Sequence, residues 1–167
     1  MGNKHLQQLP YQSLYEIKVT DMDSREVQMS EFRGKVLLIV NVASKWELTS
    51  NTYAQLISLY SRFNSLGFEV LAFPCGQFFN QEYNKLIQIK QFLANHSVRF
   101  PVFDKVKVNG KKASDLFKYL RLHSDLKGKK IPWNFGKFLV DRHGTTIKYY
   151  RPRLSPLEIE NDIQELI

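Results

Sequence analysis

Cysteine is nearly missing from this chain: Cys75 is the only one among 167 residues. An internal disulfide is therefore excluded, and a cysteine-only metal site is not expected. A reducing compartment fits such usage. The opening stretch "MGNKHLQQLP" has no apolar core of a signal peptide, so a cytoplasmic location is expected. Gly2 does not begin a myristoylation motif, because Leu6 stands where Ser or Thr is needed. The longest apolar run, Val36 to Val40, is far too short to span a bilayer. His5, His96, His123 and His143 are dispersed, so a zinc site is not expected. Phosphate-binding glycine loops, dinucleotide fingerprints, nucleic-acid motifs, internal repeats and low-complexity segments are missing too. No bound cofactor and no nucleic-acid partner are expected.

Positive charge is abundant. Lys and Arg number 24 against 16 Asp and Glu, a net charge of +8. Such a surface favours anionic partners, of which acidic small thiols and anionic lipid surfaces remain after the motif search. The densest basic stretch is "KGKK", Lys127 to Lys130. Hydrophobic residues make up 43%, enough at this length for one globular domain with a real core.

Residues 1–12 are expected to form a flexible polar lead-in, and residues 13–167 a single domain. Leu14 to Asp21 alternates like a strand, and Arg25 to Phe32 is expected to return antiparallel after a turn. Lys35 to Ala43 is apolar on both faces and β-branched, the pattern of a central strand. Tyr53, Leu56, Ile57, Tyr60 and Phe63 then recur at helical spacing, with Ser50 as the expected N-cap and Gly67 just past the end. Phe68 to Pro74 reads as a second buried strand. Two further helices carry Leu86, Ile89, Phe92 and Leu93, and Leu116, Phe117 and Leu120. A hairpin turns at Asp141 to Gly144, and Ser155 with Pro156 opens a final helix. This order predicts an α/β sandwich, a mixed central sheet flanked by helices. A thioredoxin-like arrangement fits it, and the pattern alone leaves other α/β folds open.

The segment "NVASKWELTS", Asn41 to Ser50, links the central strand to the first helix. Unpaired N–H groups and the helix dipole at such a point favour negative charge. A thiolate or selenolate there becomes a good nucleophile. Trp46 occupies the point instead, and an indole N–H can only donate a hydrogen bond.

Around this loop the chain resembles the glutathione peroxidases. The likeness rests on "GKVLLIVNVASK" followed by "LT", "GFEVLAFPC" with "QF", "FPVFDKVKVNG", "WNFGKFLVDRHG" and "RPRLSPLEIENDI", in that order, over roughly residues 13–167. It implies a thioredoxin-like fold and thiol-dependent reduction of hydrogen peroxide and lipid hydroperoxides in oxidative-stress defence. It also implies a site in which a Cys or selenocysteine attacks the peroxide while a Gln, a Trp and an Asn donate hydrogen bonds. Carried over by motif, these three are Gln77, Trp133 and Asn134, and the nucleophile maps to Trp46. Peroxidase activity is therefore expected to be abolished or very weak. A Trp codon lies one base from the Cys codons, and UGA, the selenocysteine codon, is read as Trp in some translation tables.

Cys75 is the possible substitute nucleophile, with a buried inert thiol as the alternative reading. The region where the family's thioredoxin-using members carry a resolving Cys is "QFLANHSVRF" here, so an internal disulfide cycle is excluded. Glutathione or thioredoxin is the implied reductant. The short segment Leu122 to Pro132 resembles the monomeric, phospholipid-hydroperoxide type. Lys45, Lys127, Lys129 and Lys130 are candidate contacts for an anionic thiol or phospholipid. Departures gather at the same site: Glu47 replaces a Gly, Phe79 and Asn80 replace small residues, and Tyr83 replaces a Pro. A non-catalytic binding protein with an aromatic pocket of Trp46, Phe79 and Trp133 is the alternative function. Without the resemblance, Trp133 reads as a core aromatic, Gln77 and Asn134 as turn residues, and the lysines as solvated.

Overall fold

The computed structural model describes residues 9–167. Strand β3 (Val36–Val42) is buried at all seven positions, so it needs cover on both faces. It pairs in parallel with β4 (Phe68–Pro74) and antiparallel with β5 (Lys137–Val140), which pairs antiparallel with β6 (Ile147–Tyr150). The sheet order is β4-β3-β5-β6. A separate antiparallel pair, β1 (Lys18–Thr20) and β2 (Glu26–Gln28), precedes it.

Alternation along β3 sends Val36, Leu38, Val40 and Val42 to one cluster and Leu37 and Ile39 to the other. The first cluster packs against α1 (Thr49–Phe63), α2 (Leu86–Asn95) and α4 (Glu160–Leu166). The second packs against α3 (Asp115–His123) and the β1–β2 pair. This is the expected mixed sheet flanked by helices.

Local corrections fall where short hydrogen-bonded turns outcompete strands. Leu14–Glu16 is a 3₁₀ turn: the Ser13 side chain accepts from the Tyr15 N–H, and Glu16 accepts from the Ser13 N–H. The first strand therefore starts only at Lys18. Met29–Phe32 is likewise a 3₁₀ turn and shortens β2. Helix α1 opens at Thr49, and Ser50 does not cap it. Thr49 instead donates to the Ala43 carbonyl and accepts from the Trp46 N–H.

The expected flexible lead-in is only partly described, since residues 1–8 lie outside the described residues. Residues 9–12 are docked: Leu9 and Tyr11 pack on the second cluster, and Tyr11 donates to Asp115. Apolar contact and a charge-assisted hydrogen bond fix a segment that its polarity alone leaves free.

Gly144 closes the β5–β6 turn at φ +71°, and a Cβ there would meet the buried Tyr15 ring at 2.7 Å. Gly144→Ala is expected to destabilise the fold by about 1–3 kcal/mol, measured by urea unfolding. An unchanged midpoint would show that Tyr15 can move aside freely.

Candidate functional site

The site grows from Asn41, the one polar residue of β3. Its backbone N–H donates to Gly136 O at 3.3 Å, and its carbonyl accepts from Phe135 N at 2.6 Å. Its side-chain Nδ2 donates to Trp133 O at 3.0 Å. Three bonds thus press the turn Trp133-Asn134-Phe135-Gly136 against the end of the strand. Phe135 sits at φ +64°, unusual for a bulky residue, although fully buried.

Trp46 lies against that turn. It is 7% exposed, and its ring stacks on Phe135 with centroids 5.7 Å apart. The Phe135 ring meets Tyr53 of α1 edge-on at 5.7 Å. The Arg153 guanidinium lies 5.8 Å from the centre of the Trp46 ring, and it pairs with Glu47 at 3.5 Å. Trp46 is therefore a packed side chain, with an apolar floor and a cationic rim.

Of the other expected site residues, Trp133 and Asn134 are brought to this turn, and Gln77 is not. Gln77 Oε1 accepts from Val108 N at 2.7 Å and Asn109 N at 3.0 Å, and Nε2 donates to Asn109 O at 2.9 Å. Its carboxamide is engaged by the Val108–Asn109 loop instead. A turn through Phe78, Phe79 and Asn80, the last two at φ +52° and +51°, reverses the chain. That reversal delivers Gln81, not Gln77. Gln81 Oε1 accepts from Asn134 Nδ2 at 2.7 Å, and Gln81 O accepts from Lys45 N at 2.8 Å. The two glutamines stand four apart in one motif, and spacing gave no sign of which returns to the Trp46 loop. The adjoining Glu82 is fully buried, and burial raises its pKa. Phe79, 82% exposed, and Phe78 flank the half-buried Trp133 ring at 5.1 and 5.7 Å.

Cys75 belongs to the second cluster, whereas Trp46 belongs to the first. The thiol is fully buried, and burial pushes its pKa up, which disfavours the thiolate. It lies 3.7 Å from Gln77 Oε1.

Among the candidate lysines, Lys45 is beside the site, with Nζ 4.7 Å from the Tyr83 ring centre. Lys127, Lys129 and Lys130 are exposed on a separate loop. The buried Arg121 pins that loop by donating to Lys129 O at 2.9 Å and Gly128 O at 3.1 Å. The lysines' own side chains make no hydrogen bond or ion pair to the groups around Trp46. Among the described residues no His, Cys, Asp and Glu cluster could hold a metal ion. No helix of the described residues is long and apolar enough to cross a membrane.

The two glutamines separate experimentally. Gln77→Ala is expected to destabilise the fold by about 1–3 kcal/mol, because it leaves the Val108 and Asn109 amides unpaired, while the Asn134 side-chain NMR signals stay in place. Gln81→Ala is expected to move the Asn134 signals. The reverse pattern would assign the pairing wrongly. For Cys75, modification by a thiol reagent at pH 7.5 is expected to follow global unfolding and to accelerate with urea. Rapid labelling of the native protein would contradict the buried placement.

Residues 14–121 match the family described as "Glutathione peroxidase". The "Probable glutathione peroxidase 3, mitochondrial" of Arabidopsis thaliana is 48% identical over 157 residues, 93% of this chain and 76% of that protein. The "Probable phospholipid hydroperoxide glutathione peroxidase" of Citrus sinensis is 45% identical over 93% of this chain and 94% of its own length. The crystal structure of T. cruzi GPX1 superposes with a TM-score of 0.74 at 35% identity, covering 93% of this chain and 96% of that one. The Mycobacterium tuberculosis dsbF structure, at 10% identity and a TM-score of 0.65 over 92% of this chain and 97% of that one, shares the fold alone.

Proposed function

The chain belongs to the glutathione peroxidase family, and we propose that as written it retains the family's pocket while its peroxide chemistry is abolished or very weak. The observation that carries this reading is Trp46 itself, stacked on Phe135 at the position where the family resemblance puts the nucleophile. Peroxide reduction by this route needs a thiolate or selenolate to attack the peroxide oxygen, breaking the O–O bond with release of water or an alcohol and forming a sulfenic or selenenic acid, which two external thiols then reduce, leaving a disulfide and water. Indole offers no such step. Cys75 is a poor substitute, since its buried, proton-retaining thiol lies in the opposite cluster.

The groups that would support a nucleophile at position 46 are Trp133, Asn134 and, in place of Gln77, Gln81. Gln81 is favoured because it is hydrogen-bonded both to Asn134 and to the loop carrying Trp46. A second reading has its own support. A groove of about 330 Å³ lined by Pro132, Trp133, Arg151, Pro152 and Arg153 adjoins the Trp46 ring. Apolar walls and two guanidinium groups suit binding of an anionic thiol or lipid without catalysis. Lys45 would contribute to the same potential, and a monomer would suffice for either reading.

The test is consumption of hydrogen peroxide and phospholipid hydroperoxide with glutathione or thioredoxin supplied. The chain as written is expected to match the no-protein control, and Cys75→Ser to change nothing. Trp46→Cys is expected to yield a thiol that reacts with peroxide faster than free cysteine. A catalytic rate that vanishes in Cys75→Ser would overturn the reading of Cys75. A Trp46→Cys thiol no faster than free cysteine would show that the surrounding groups no longer support the chemistry.

A further inference from the structure

Lys137 opens β5, and it is fully buried. Its Nζ donates to three carbonyl oxygens: Phe135 at 2.7 Å, Arg151 at 3.1 Å and Pro152 at 3.1 Å. Three acceptors match the three donors of an ammonium group. No carboxylate of the described residues forms an ion pair with it. Such a placement is unusual, since a buried charge is normally paired.

The three carbonyls come from two segments. Phe135 is the strained residue under the Trp46 ring. Arg151 and Pro152 line the groove and precede Arg153, which lies over the same ring. The Lys137 side chain therefore ties the floor of the pocket to its rim from behind.

We propose that Lys137 is a positioning residue for the Trp46 pocket, locking the 133–136 turn to the 151–153 segment as an ammonium and releasing one carbonyl when it gives its proton to solvent. A neutral amine has two donors and a lone pair, and the lone pair cannot face a carbonyl oxygen without repulsion. The inference rests on the reading of the Trp46 pocket as the functional site.

The surroundings make the release accessible near neutral pH. Burial first, and the Arg151 charge second, lower the Lys137 pKa to about 7, while Glu158 in the turn before α4 acts weakly the other way. Tyr150, its register partner on β6, donates to Asp162, and its own pKa is pushed far above neutral. On β3 the partner is the uncharged Val40. Between pH 7 and the ordinary lysine range the unfolded chain binds a proton that the folded chain lacks. Folding stability therefore rises with pH across that window, and the burden of the buried charge is fully present below it.

The experiment uses the whole chain labelled with 5-fluorotryptophan, whose two ¹⁹F signals report Trp46 and Trp133 and are assigned with Trp133→Phe. The Trp46 signal is expected to move along a one-proton curve with a midpoint about 7. In Lys137→Met that movement should vanish, along with the rise of stability between pH 7 and 9.5. An identical titration in Lys137→Met, or none in the parent chain, overturns the proposal. Should Lys137→Met fail to fold, ¹³C-lysine NMR of the parent decides. One lysine titrating near neutrality, in step with the Phe135 and Arg151 amides, supports it. Lysines that all titrate in the ordinary range, about 10.4, refute it. Neither readout uses peroxide, so a failure of Trp46→Cys to react leaves this test standing.

Discussion

Everything around the pocket depends on a polar residue placed in an otherwise apolar strand. Asn41 continues the β3–β5 ladder by one step beyond Val40 and Lys137, through its bonds to Phe135 and Gly136. Its side chain then captures the Trp133 carbonyl. A buried amide is costly unless its donors are used, and here Nδ2 is used on the turn that carries Trp133 and Asn134. Gly136 completes the fit: a Cβ there would meet Asn41 Oδ1 at 3.0 Å and the Tyr149 ring at 3.3 Å. The apolar strand supplies the driving force for burial, and its single amide decides where the next loop must lie.

The sheet then separates two chemistries that are close in sequence motif. β3 and β4 run parallel and end together, with Val42 opposite Pro74, so the Trp46 loop and the Cys75–Gln77 segment leave the same end of the sheet. Their side chains nevertheless join different clusters. Trp46 turns toward α1 and Phe135, while Cys75 turns toward the cluster that contains Val108 and α3. Nearness of strand ends does not bring a thiol to the pocket, because successive residues face opposite sides.

The long periodic elements were legible from residue patterns. Lys35 to Ala43 reads as a central strand because apolar residues, several of them β-branched, line both faces, and α1 shows its buried stripe in Tyr53, Leu56 and Phe63. The Ser155–Pro156 opening carries its own chemistry in the chain, a capping box closed by Glu158, although it opens a 3₁₀ turn, Pro156–Ile159, and α4 begins only at Glu160. Less legible were features decided by a competing local cap or by tertiary partners. Leu14 to Asp21 alternates convincingly, yet Ser13 and Glu16 divert its first half into a turn. Gln77 and Gln81 are chemically identical, and only the backbone reversal at Phe79 and Asn80 distinguishes them. Lys137 looks like an ordinary hairpin cation until three carbonyls from two segments close around it.

Three of the residues at which the chain departs from the family resemblance, Glu47, Phe79 and Tyr83, have a partner close to the Trp46 loop. Glu47 pairs with Arg153, and Arg153 covers Trp46. Tyr83 lies under the Lys45 ammonium, while Lys45 is joined through its backbone to Gln81. Phe79 packs on Trp133 from a left-handed backbone position, and Asn80 keeps the same conformation beside it. The resemblance expects small residues at these two positions, and the backbone retains the conformation that glycine favours. Holding a bulky aromatic there costs on the order of 1–2 kcal/mol, and the Phe79–Trp133 contact offsets part of that cost. The indole has a stacked floor in Phe135 and a cationic cover in Arg153, whose own counterion is Glu47, and these make position 46 a packed centre rather than an empty one.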